Sequence, residues 1–538
     1  MLDSLNSYKW WQTGIIYEVY LRSFQDTNGD GVGDLCGVIQ RLDYLQWLGV
    51  NILWITPFYP SPMKDLGYDI SAYTQVDELF GSMNDFDELI TAAHSRNMKI
   101  LIDFVPNHTS DQHPWFIESR SSRTNPKRDW YIWKDKNAKQ DYPNNWLSVL
   151  GGSAWQWDDN TGQYYYHAFL KEQPDLNLCN KEVRSALINI IRFWLNKGVD
   201  GFRVDVMWHL AKDKLFRDNP QNPGYTDDMP DCDRFLQIYN CDQPEVLDYI
   251  AEWRKVIDEY PNKLLMGEIY LPLFKSVAYY GKQNNGAHLP SNFQLMFIPW
   301  EAKAIAATIN EYECVLPEGA WPNWAIGNHD RPRLLSRIRN QQMRNAAMLL
   351  LTLRGTPIMY YGDEIGIPPV MIPEDEIMDP QGLLMPGKNL SRDPQRTPMQ
   401  WDERTNAGFS SGRPWLRLSE TYKSQNVEVE VKDEDSLLWF YKRMIDLRQN
   451  EKSLTVGNYR PVFVDESIFS FVREAPGHDP FLVILNFSEE EKSCNHFLLS
   501  FSGHVVIHSA GNRGEMELGG SFVLEPNSGC VIRLGRRD

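Results

Sequence analysis

The sequence predicts an α/β protein built on a closed parallel (β/α)₈ barrel, a TIM barrel, with a small domain inserted after strand 3 and a C-terminal antiparallel β domain. Short apolar runs alternate along the chain with segments whose apolar residues recur three and four positions apart, which is the pattern of βα units. The runs are continuously apolar, as is typical of strands covered on both faces. Several of them end in charged residues, and functional side chains of such barrels project from the C-terminal ends of strands.

Three strands and two helices are predicted before the first irregular stretch. The strands are GIIYEVY, NILWITPF and KILIDFV, at residues 14–20, 51–58 and 99–105. Between them, residues 38–49 and 86–97 have helical periodicity and end at Gly or Asn, which commonly terminate helices. We expect these helices to return over the sheet.

Five further apolar runs complete the series. They are GVDGFRVDV, KLLMGEIY, FQLMF, NWAIGN and TPIMYYGDEIG, at residues 198–206, 263–270, 293–297, 323–328 and 356–366. Eight strands with intervening helices are the number that closes a barrel of this type.

Two stretches break the alternation. Residues 107–174 are rich in Asn, Asp, Trp, Tyr and Pro and are too long for an ordinary βα loop, so we interpret them as an inserted domain. After the helix-like segment 436–450, short alternating strands bounded by Gly, Asn and Pro indicate a terminal β domain. The predicted boundaries are 1–106 and 175–455 for the barrel, 107–174 for the inserted domain and 456–538 for the C-terminal domain.

Composition excludes some partners. The 538 residues carry a net charge of −18 and no run rich in Lys or Arg, so nucleic acid is not an expected partner. The 19 Trp and 25 Tyr exceed what packing usually needs. Flat aromatic faces suit the apolar faces of sugar rings, although a large aromatic core would give the same count.

The chain as given is expected to be a soluble protein of the cytoplasm. The first fourteen residues, MLDSLNSYKWWQTG, lack a basic region followed by an apolar segment, and no apolar stretch reaches about 18 residues, so neither export nor membrane insertion is predicted. Seven cysteines, odd in number and without CxxC spacing, are typical of a reducing cytosol.

Three carboxylates each close an apolar run: Asp205, Glu268 and Asp330. A charge at the tip of a buried strand is costly unless a ligand or a catalytic partner uses it, so three of them suggest one active site. Arg203 lies two residues before Asp205 and shares its face of the strand, where it can hold the aspartate ionised. A routine buried Arg–Asp pair is the alternative for those two residues alone.

The same carboxylates predict a reaction class. Glu268 has no adjacent cation in sequence, so it is the better candidate to keep a proton and act as a general acid. One carboxylate that attacks the anomeric carbon and one acid that protonates the leaving oxygen are what cleavage of a glycosidic bond needs. A metal-dependent hydrolase is the runner-up, but the histidines show no HxH or HExxH spacing.

These residues lie in segments that resemble a known family. DFVPNH (103–108), GFRVDV (201–206), GEIY (267–270) and NHD (328–330) resemble the four signature segments of the α-amylase superfamily of glycoside hydrolases, family 13. QPDLN and RTPMQWD look like the branch that contains α-glucosidases, oligo-1,6-glucosidases, trehalose synthases and sucrose isomerases.

The resemblance implies roles for individual residues. Asp205 would be the nucleophile that forms a β-glucosyl enzyme, Glu268 the acid that then becomes the base, and Asp330 the residue that binds the 2- and 3-hydroxyls. Other residues would bind the same sugar or close its non-reducing end; they are His108, Arg203, His329, Asp65, Tyr68, Phe169 and an arginine, Arg396 with Arg392 as the alternative. For Phe169 core packing is an equal interpretation.

A second motif, DTNGDGVGD, begins at Asp26. It presents oxygens at alternate positions in a Gly-rich loop, as in the first half of an EF-hand, although the Glu at the twelfth position is missing. The resemblance implies the same, because this branch of the family binds Ca²⁺ with this segment, so a structural Ca²⁺ is predicted. An acidic turn without an ion is the alternative. Its ligands would be Asp26, Asn28, Asp30, Asp34 and the carbonyl of Val32.

The prediction is a retaining, exo-acting α-glucosidase that releases glucose from the non-reducing end of short α-glucosides, with transglucosylation chemically available. Val206 follows the predicted nucleophile, and in relatives a valine at this position accompanies acceptance of α-1,6 bonds. The segment VMWHLAKD is unlike the usual continuation in those relatives, so isomaltose and maltose are both candidate substrates. Sucrose isomerase or trehalose synthase is the alternative on the same fold, although the RLDRD-type segment is absent and the chain reads RPRLLSRIRN there. A non-catalytic transporter subunit is disfavoured because all three acids are present and no membrane helix is predicted.

Overall fold

The computed structural model describes residues 8–137, 141–498, 501–511, 516–517 and 522–535. Strands in these residues are β1 (Ile16–Val19), β2 (Ile52–Ile55), β3 (Lys99–Phe104), β4 (Trp133–Lys134), β5 (Trp155–Asp158), β6 (Gln163–Tyr166), β7 (Gly201–Val204), β8 (Leu264–Gly267), β9 (Leu289–Pro290), β10 (Asn323–Ala325), β11 (Thr356–Tyr360), β12 (Asn458–Val464), β13 (Ile468–Glu474), β14 (Phe481–Asn486), β15 (Lys492–Ser493), β16 (Gly503–His508), β17 (Met516–Glu517), β18 (Val523–Leu524) and β19 (Gly529–Leu534).

The α-helices are α1 (Trp10–Thr13), α2 (Leu35–Leu48), α3 (Met83–Ser95), α4 (Pro114–Ser121), α5 (Lys181–Asn196), α6 (Glu245–Ile257), α7 (Leu273–Ser276), α8 (Ala302–Val315), α9 (Met343–Thr352), α10 (Pro380–Leu384), α11 (Val427–Val431), α12 (Leu437–Asn450), α13 (Lys452–Thr455) and α14 (Asn495–Leu498). Among the described residues no helix combines the length and the apolar character of a membrane span.

Eight strands form one parallel sheet in the order β10-β11-β1-β2-β3-β7-β8-β9, the order expected of a (β/α)₈ barrel. Seven of the eight predicted runs contain one of its strands. The run at 293–297 does not, because residues Gln294–Met296 form a 3₁₀ helix and the sixth strand is the preceding pair Leu289–Pro290. A two-residue strand that contains proline is too short to leave a periodic pattern, whereas a short apolar run fits helix or strand equally well.

Strands β9 and β10 are the two ends of the sheet order, and a side chain links them. We call the place where they meet the seam of the barrel. Asn323 is fully buried; its Nδ2 donates to the carbonyl of Pro290 at 2.6 Å, and its Oδ1 accepts from the N–H of Asn292 at 2.8 Å. The side-chain amide therefore takes the place of a backbone ladder between the two end strands.

The strands place polar residues inside the barrel near its C-terminal end. Side chains two apart on a strand share a face. Ile16 belongs to the inner core cluster and Leu101 does also, so Glu18 and Asp103, two positions further, point the same way. Asp103 pairs in register with Arg203 on β7. Along β1 and β3 the inner face thus changes from apolar to charged.

Two smaller β regions accompany the barrel. Between β3 and β7 lies an antiparallel sheet ordered β4-β6-β5, which packs an aromatic cluster that includes Trp146, Trp155 and Tyr166. After α12, an antiparallel sheet ordered β12-β13-β14-β19-β16-β17 and the pair β15-β18 form the C-terminal part. Both lie in the regions where the sequence predicts an inserted and a terminal domain; their exact boundaries stay predictions.

Candidate active site

Three carboxylates surround one buried guanidinium at the C-terminal end of the barrel. Arg203 Nη1 donates to Asp103 Oδ1 at 2.8 Å and to Asp205 Oδ1 at 2.7 Å, and its Nη2 lies 3.0 Å from Glu268 Oε2. The side chain of Arg203 has no exposed surface. Since one guanidinium contacts both, the carboxyl groups of Asp205 and Glu268 are neighbours.

Asp330 is held by two other arginines. Its Oδ1 accepts from Arg396 Nη2 at 2.9 Å and from Arg392 Nη1 at 3.2 Å. Arg396 also donates from Nε to the carbonyl of His329 at 2.9 Å and is fully buried, whereas Arg392 keeps 13% of its side chain exposed and lines the pocket.

Asp65, which is predicted to bind the non-reducing end of the sugar, forms an ion pair. Arg392 Nη2 lies 2.8 Å from Asp65 Oδ1, and Gln173 Nε2 donates to Asp65 Oδ2 at 3.0 Å while lying 3.1 Å from His108 Nε2. Of the two candidate arginines, Arg392 contacts both Asp65 and Asp330, so the geometry favours it as the partner of Asp65. Arg396 contacts Asp330 and is buried. Arg396, which the sequence argument prefers, is not among the described residues that line the pocket, and the role of either arginine in binding sugar stays a prediction.

His329 is oriented from both ends of its ring. Its Nδ1 lies 2.5 Å from Glu18 Oε1 on β1, and its Nε2 lies 2.9 Å from the hydroxyl of Tyr68 and 3.3 Å from Asp330 Oδ2. The Tyr68 and His329 rings stack with centroids 5.6 Å apart. The Tyr68 hydroxyl also donates to Asp103 at 3.1 Å. It therefore links the carboxylates around Arg203 to His329, which contacts Asp330.

The backbone beside Asp205 is strained. Val206 has φ 39° and ψ 46°, a left-handed conformation that is rare for a β-branched residue. In this conformation its N–H donates to Glu268 Oε2 at 2.7 Å. The turn after β7 therefore fixes the carboxyl group of Glu268 directly next to the residue predicted as nucleophile.

The three acids differ in electrostatics. Burial raises the pKa of Glu268 to about 7, with Arg203 opposing and Asp330 adding to the rise. Burial also raises the pKa of Asp205 well above its ordinary value despite Arg203. Burial by itself would raise the pKa of Asp330, but His329 and the two arginines hold that pKa far below the usual range.

The predicted contact between Arg203 and Asp205 is present and opposes the rise in the pKa of Asp205, but Asp103 and Glu268 share the same guanidinium. Because Asp205 and Glu268 contact the same guanidinium, their titrations depend on each other. Asp330 stays ionised.

These groups line one pocket of about 480 Å³. The predicted residues that line it are Asp65, Tyr68, His108, Phe169, Asp205, Glu268, His329, Asp330 and Arg392. Arg203 and Arg396 lie behind its wall. Phe169 packs against His108 and His209, with ring centroids 5.3 and 5.5 Å apart, so it is a pocket wall as well as part of a cluster.

The opposite wall of the pocket is aromatic and was not predicted. Trp208 and Tyr270 meet at 5.5 Å, Tyr270 and Phe297 at 5.8 Å, and the guanidinium of Arg331 lies 4.8 and 4.9 Å from the rings of Tyr270 and Phe297. We call Trp208, Tyr270, Phe297 and Arg331 the aromatic box. Tyr270 is the last residue of the predicted segment GEIY and Arg331 directly follows NHD, which is the signal that sequence could have used.

Glu18 and Gln173 are also functional candidates that the sequence argument missed. Glu18 is a charge in the middle of an otherwise apolar strand, and it has no exposed surface. A buried charge of that kind needs a partner, which here is His329. Gln173 lies in the segment QPDLN, which was used only to identify the branch of the family.

The predicted calcium loop lies outside this pocket. Asp26 Oδ1 accepts from the N–H groups of Asn28 and Gly29 at 2.9 and 2.8 Å, and Asp30 Oδ1 accepts from Val32 N at 2.8 Å. Both oxygens of Asp34 accept bonds from Thr27 or Gly37. Among the described residues no group of three or more His, Cys, Asp or Glu side chains is arranged as a metal site. The donors are all oxygen, which suits Ca²⁺.

Comparison with known proteins agrees with this geometry. Residues 18–457 match the family model of the alpha-amylase catalytic domain. An alpha-glucosidase of Apis mellifera is 39% identical over 95% of this chain and 93% of its own, and an oligo-1,6-glucosidase of Bacillus cereus is 37% identical over 90% and 92%.

Solved structures are also similar. The alpha-glucosyl transfer enzyme XgtA superposes with a TM-score of 0.88 at 35% identity, covering 98% of this chain and 100% of that one. The trehalulose synthase MutB of Pseudomonas mesoacidophila MX-45 does so with a TM-score of 0.88 at 32% identity and the same coverage. The chain belongs to the alpha-amylase family of glycoside hydrolases.

Proposed function

We propose that the protein is a retaining, exo-acting α-glucosidase that releases glucose from the non-reducing end of short α-glucosides. The observation that carries the proposal is the buried guanidinium of Arg203, which joins Asp205 and Glu268 at the bottom of a pocket whose end is closed by the Asp65–Arg392 ion pair. The names of the relatives, alpha-glucosidase and oligo-1,6-glucosidase, support the same activity.

In the proposed reaction, the glucosyl ring occupies the closed end, where Asp330, His108, His329 and Arg392 bind its hydroxyls. Asp205 attacks C1 while the proton held by Glu268 moves to the leaving oxygen. Glu268, now ionised, takes a proton from water, which attacks C1 and frees Asp205. Two displacements retain the α configuration.

Azide tests both assignments through stereochemistry. With p-nitrophenyl α-glucoside, Asp205→Gly lets azide attack C1 directly and should give β-glucosyl azide. Glu268→Ala still forms the glucosyl enzyme with this activated leaving group, and azide should then give α-glucosyl azide. Asp330→Ala is the matched control, a third carboxylate whose loss azide should not rescue. The same anomer from both variants would refute the roles.

Exo action is tested with maltotetraose. The closed end admits one glucosyl unit, so the first products should be glucose and maltotriose in equal amounts. Early maltose would contradict the pocket. Maltose and isomaltose in parallel assays decide the linkage preference, for which Val206 is the sequence indicator.

Sucrose isomerase is the second candidate, and the similarity to a trehalulose synthase favours it. Chromatography of the products from sucrose separates the two activities, because a hydrolase gives glucose and fructose and an isomerase gives a disaccharide. Trehalose synthase is tested by the same method with maltose. Transfer to other acceptors is proposed in addition, since any hydroxyl that reaches the glucosyl enzyme can replace water.

A structural Ca²⁺ at Asp26, Asn28, Asp30, Asp34 and the carbonyl of Val32 is also proposed, supported by the all-oxygen donor set. The thermal midpoint should fall when EDTA removes the ion and return with CaCl₂. Asp30→Ala should abolish this dependence, whereas Glu434→Ala, an exposed acid elsewhere, should keep it. A wild-type midpoint that ignores both reagents would refute the site.

A cytoplasmic location is proposed on the cysteines. All seven are free thiols in the structure. Titration of the unfolded, unreduced protein should therefore give seven thiols, and cell fractionation should recover activity in the cytosol.

A further inference from the structure

A buried lysine supports the pocket wall near His108 without lining the pocket itself. Lys212 follows β7 and the short 3₁₀ helix Met207–His209, and 3% of its side chain is exposed. Its Nζ donates to Asn107 Oδ1 at 2.8 Å and forms an ion pair with Asp175. Asn107 and Asp175 both have no exposed surface. Lys212 can therefore influence a bound sugar only through its neighbours.

The ion pair determines which way the Asn107 amide points. A lysine ammonium only donates hydrogen bonds, so the amide atom that faces Lys212 must be Oδ1. A carboxylate accepts them, so the amide atom 2.9 Å from Asp175 Oδ2 must be Nδ2. The two contacts agree on one orientation. An inverted amide would set N–H groups against the ammonium and an oxygen against the carboxylate.

The fixed amide in turn assigns the ring proton of His108. Burial lowers the pKa of His108 to about 4, so at neutral pH the imidazole is uncharged and one of its nitrogens carries a hydrogen. Asn107 Nδ2 has a second hydrogen and lies 3.2 Å from His108 Nδ1, which makes Nδ1 an acceptor. Nε2 therefore carries the hydrogen. The carbonyl of Tyr68, 3.2 Å away, accepts from it.

The opposite tautomer fits these neighbours less well. It would let His108 Nε2 accept from Gln173 Nε2, which lies 3.1 Å away. It would also set N–H against N–H at Asn107 and lone pair against lone pair at the Tyr68 carbonyl. Gln173 Nε2 already donates to Asp65, so one additional contact would be gained at the cost of two repulsive ones.

We propose that Lys212 and Asp175 are positioning residues that hold His108 in the neutral Nε2–H tautomer, so that its ring offers a hydrogen-bond donor to the glucosyl unit. The inference rests on the proposed α-glucosidase activity, to which it adds two residues that do not touch the sugar. His108 lines the pocket, and a sugar hydroxyl can share the Nε2 hydrogen with the carbonyl of Tyr68. The other tautomer would present a lone pair at that position.

Long-range ¹H–¹⁵N NMR of the full chain with ¹⁵N-labelled histidines measures the tautomer directly, because protonated and unprotonated ring nitrogens differ in shift and in coupling to the ring hydrogens. The signals of His108 are those that are absent from His108→Gln. At pH 7 we expect the Nε2–H tautomer in the wild type. The Nδ1–H tautomer or an imidazolium would overturn the inference, even if no further variant folds.

The double variant Lys212→Met/Asp175→Asn should reverse the tautomer. It removes the ion pair without leaving a buried charge unpaired. Asp175 Oδ1 accepts from Ala168 N at 2.7 Å, so the new amide at position 175 keeps its oxygen there and turns its N–H groups toward Asn107. Asn107 must then invert and offer its oxygen to His108, which should move the hydrogen to Nδ1. We expect kcat/KM for p-nitrophenyl α-glucoside to fall about 3- to 10-fold, the value of one hydrogen bond between uncharged groups.

Lys263→Met/Asp200→Asn is the matched control. Lys263 Nζ lies 3.7 Å from Asp200 Oδ1, their side chains are 16% and 5% exposed, and both residues precede strands at the end of the barrel opposite the pocket. This variant should keep the wild-type tautomer and kcat/KM, whatever its stability.

Two results from the Lys212→Met/Asp175→Asn variant would overturn the inference alone: an unchanged tautomer, or a reversed tautomer with unchanged kcat/KM. If wild-type protein with the expected tautomer cleaved neither p-nitrophenyl α-glucoside nor maltose nor isomaltose, the proposed function would fail instead.

Discussion

At the scale of single residues, the carboxyl pair of Asp205 and Glu268 determines the pH dependence of the proposed reaction. Glu268 must be protonated to act as the acid, and its pKa is about 7. The fraction in this form falls as the pH rises through that value, so kcat/KM should decline on the alkaline side. On the acid side activity should be lost as the pair takes up its second proton, above the ordinary range of an aspartate because burial raises the pKa of Asp205.

Glu268→Gln separates the two limbs when p-nitrophenyl α-glucoside is the substrate. The alkaline limb should disappear, since no acid remains to be deprotonated. The acid limb should stay close to its wild-type position, because Glu268 is already protonated and uncharged when the pair takes up its second proton. With maltose, whose leaving group needs a proton, the rate should fall about 10²- to 10⁴-fold. An alkaline limb that persists in the variant would show that another group is the acid.

Glu18 is expected to act as a positioning residue through His329. Burial raises the pKa of Glu18 and lowers that of His329, and Glu18 Oε1 lies 2.5 Å from His329 Nδ1, where it orients the imidazole. Glu18→Leu should lower kcat/KM about 10- to 100-fold by releasing the imidazole from its orientation toward the sugar.

A conservative variant of Glu18 distinguishes a role in positioning His329 from a role in folding. Glu18→Gln keeps the volume and an acceptor for His329, and it should recover most of the activity. Equal losses in both variants, with equal losses of stability, would make Glu18 a structural residue only.

The residues proposed as catalytic stand out in the sequence because each is a charge at the end of an apolar run, and the structure brings them to one pocket. The residues that contact these carboxylates were harder to predict. Whether Arg392 or Arg396 faces Asp65 depends on how the loop from 367 to 397 folds over the barrel, and no periodicity records that. The pKa of Asp205 depends on burial by all surrounding elements, which a neighbour two residues away cannot reveal.

At the scale of elements, strand prediction worked where strands are long enough to show continuous apolarity. It failed at β9, whose two residues pair with β8 on one side and receive a hydrogen bond from Asn323 of β10 on the other. A side chain that replaces a backbone ladder is a property of two distant segments, so a single run of sequence does not indicate it.

The Asn323 seam leads to a prediction for the barrel. Asn323→Ala leaves a buried carbonyl at Pro290 and a buried N–H at Asn292 without partners, which should lower the free energy of unfolding by about 2–4 kcal/mol. Asn323→Asp keeps an acceptor for Asn292 and should show faster hydrogen exchange mainly near Pro290. The measurements are urea unfolding and exchange of peptides from β9 and β10. Unchanged protection in Asn323→Ala would mean that the seam needs no side-chain bridge.

At the scale of the whole molecule, two buried arginines bind the C-terminal end of α9, and one of them, Arg473, joins it to the C-terminal sheet. Arg448 on α12 donates to the carbonyls of Leu351, Leu353 and Gly355 at the end of α9. Arg473 on β13 donates to the carbonyl of Thr352 and, at 2.8 Å, to that of Gly457. Carbonyls at a helix C-terminus lack partners within the helix and favour cations, so these bonds satisfy α9 from outside.

This arrangement predicts that the barrel and the C-terminal sheet unfold together, in one calorimetric transition. Arg473→Met should destabilise the protein by about 2–4 kcal/mol, because buried hydrogen bonds to a charged group are worth about 1.5–3 kcal/mol each and the methionine recovers part of the packing. It should leave kcat/KM for maltose unchanged at low temperature, since neither arginine touches the pocket. Arg460→Met on the neighbouring strand β12 is the control: its side chain is about half exposed and forms a surface ion pair with Glu474, so no measurable shift is expected. If Arg473→Met unfolded at the wild-type temperature, the contact would be incidental, and the coupling of the two regions would have to come from their apolar interface alone.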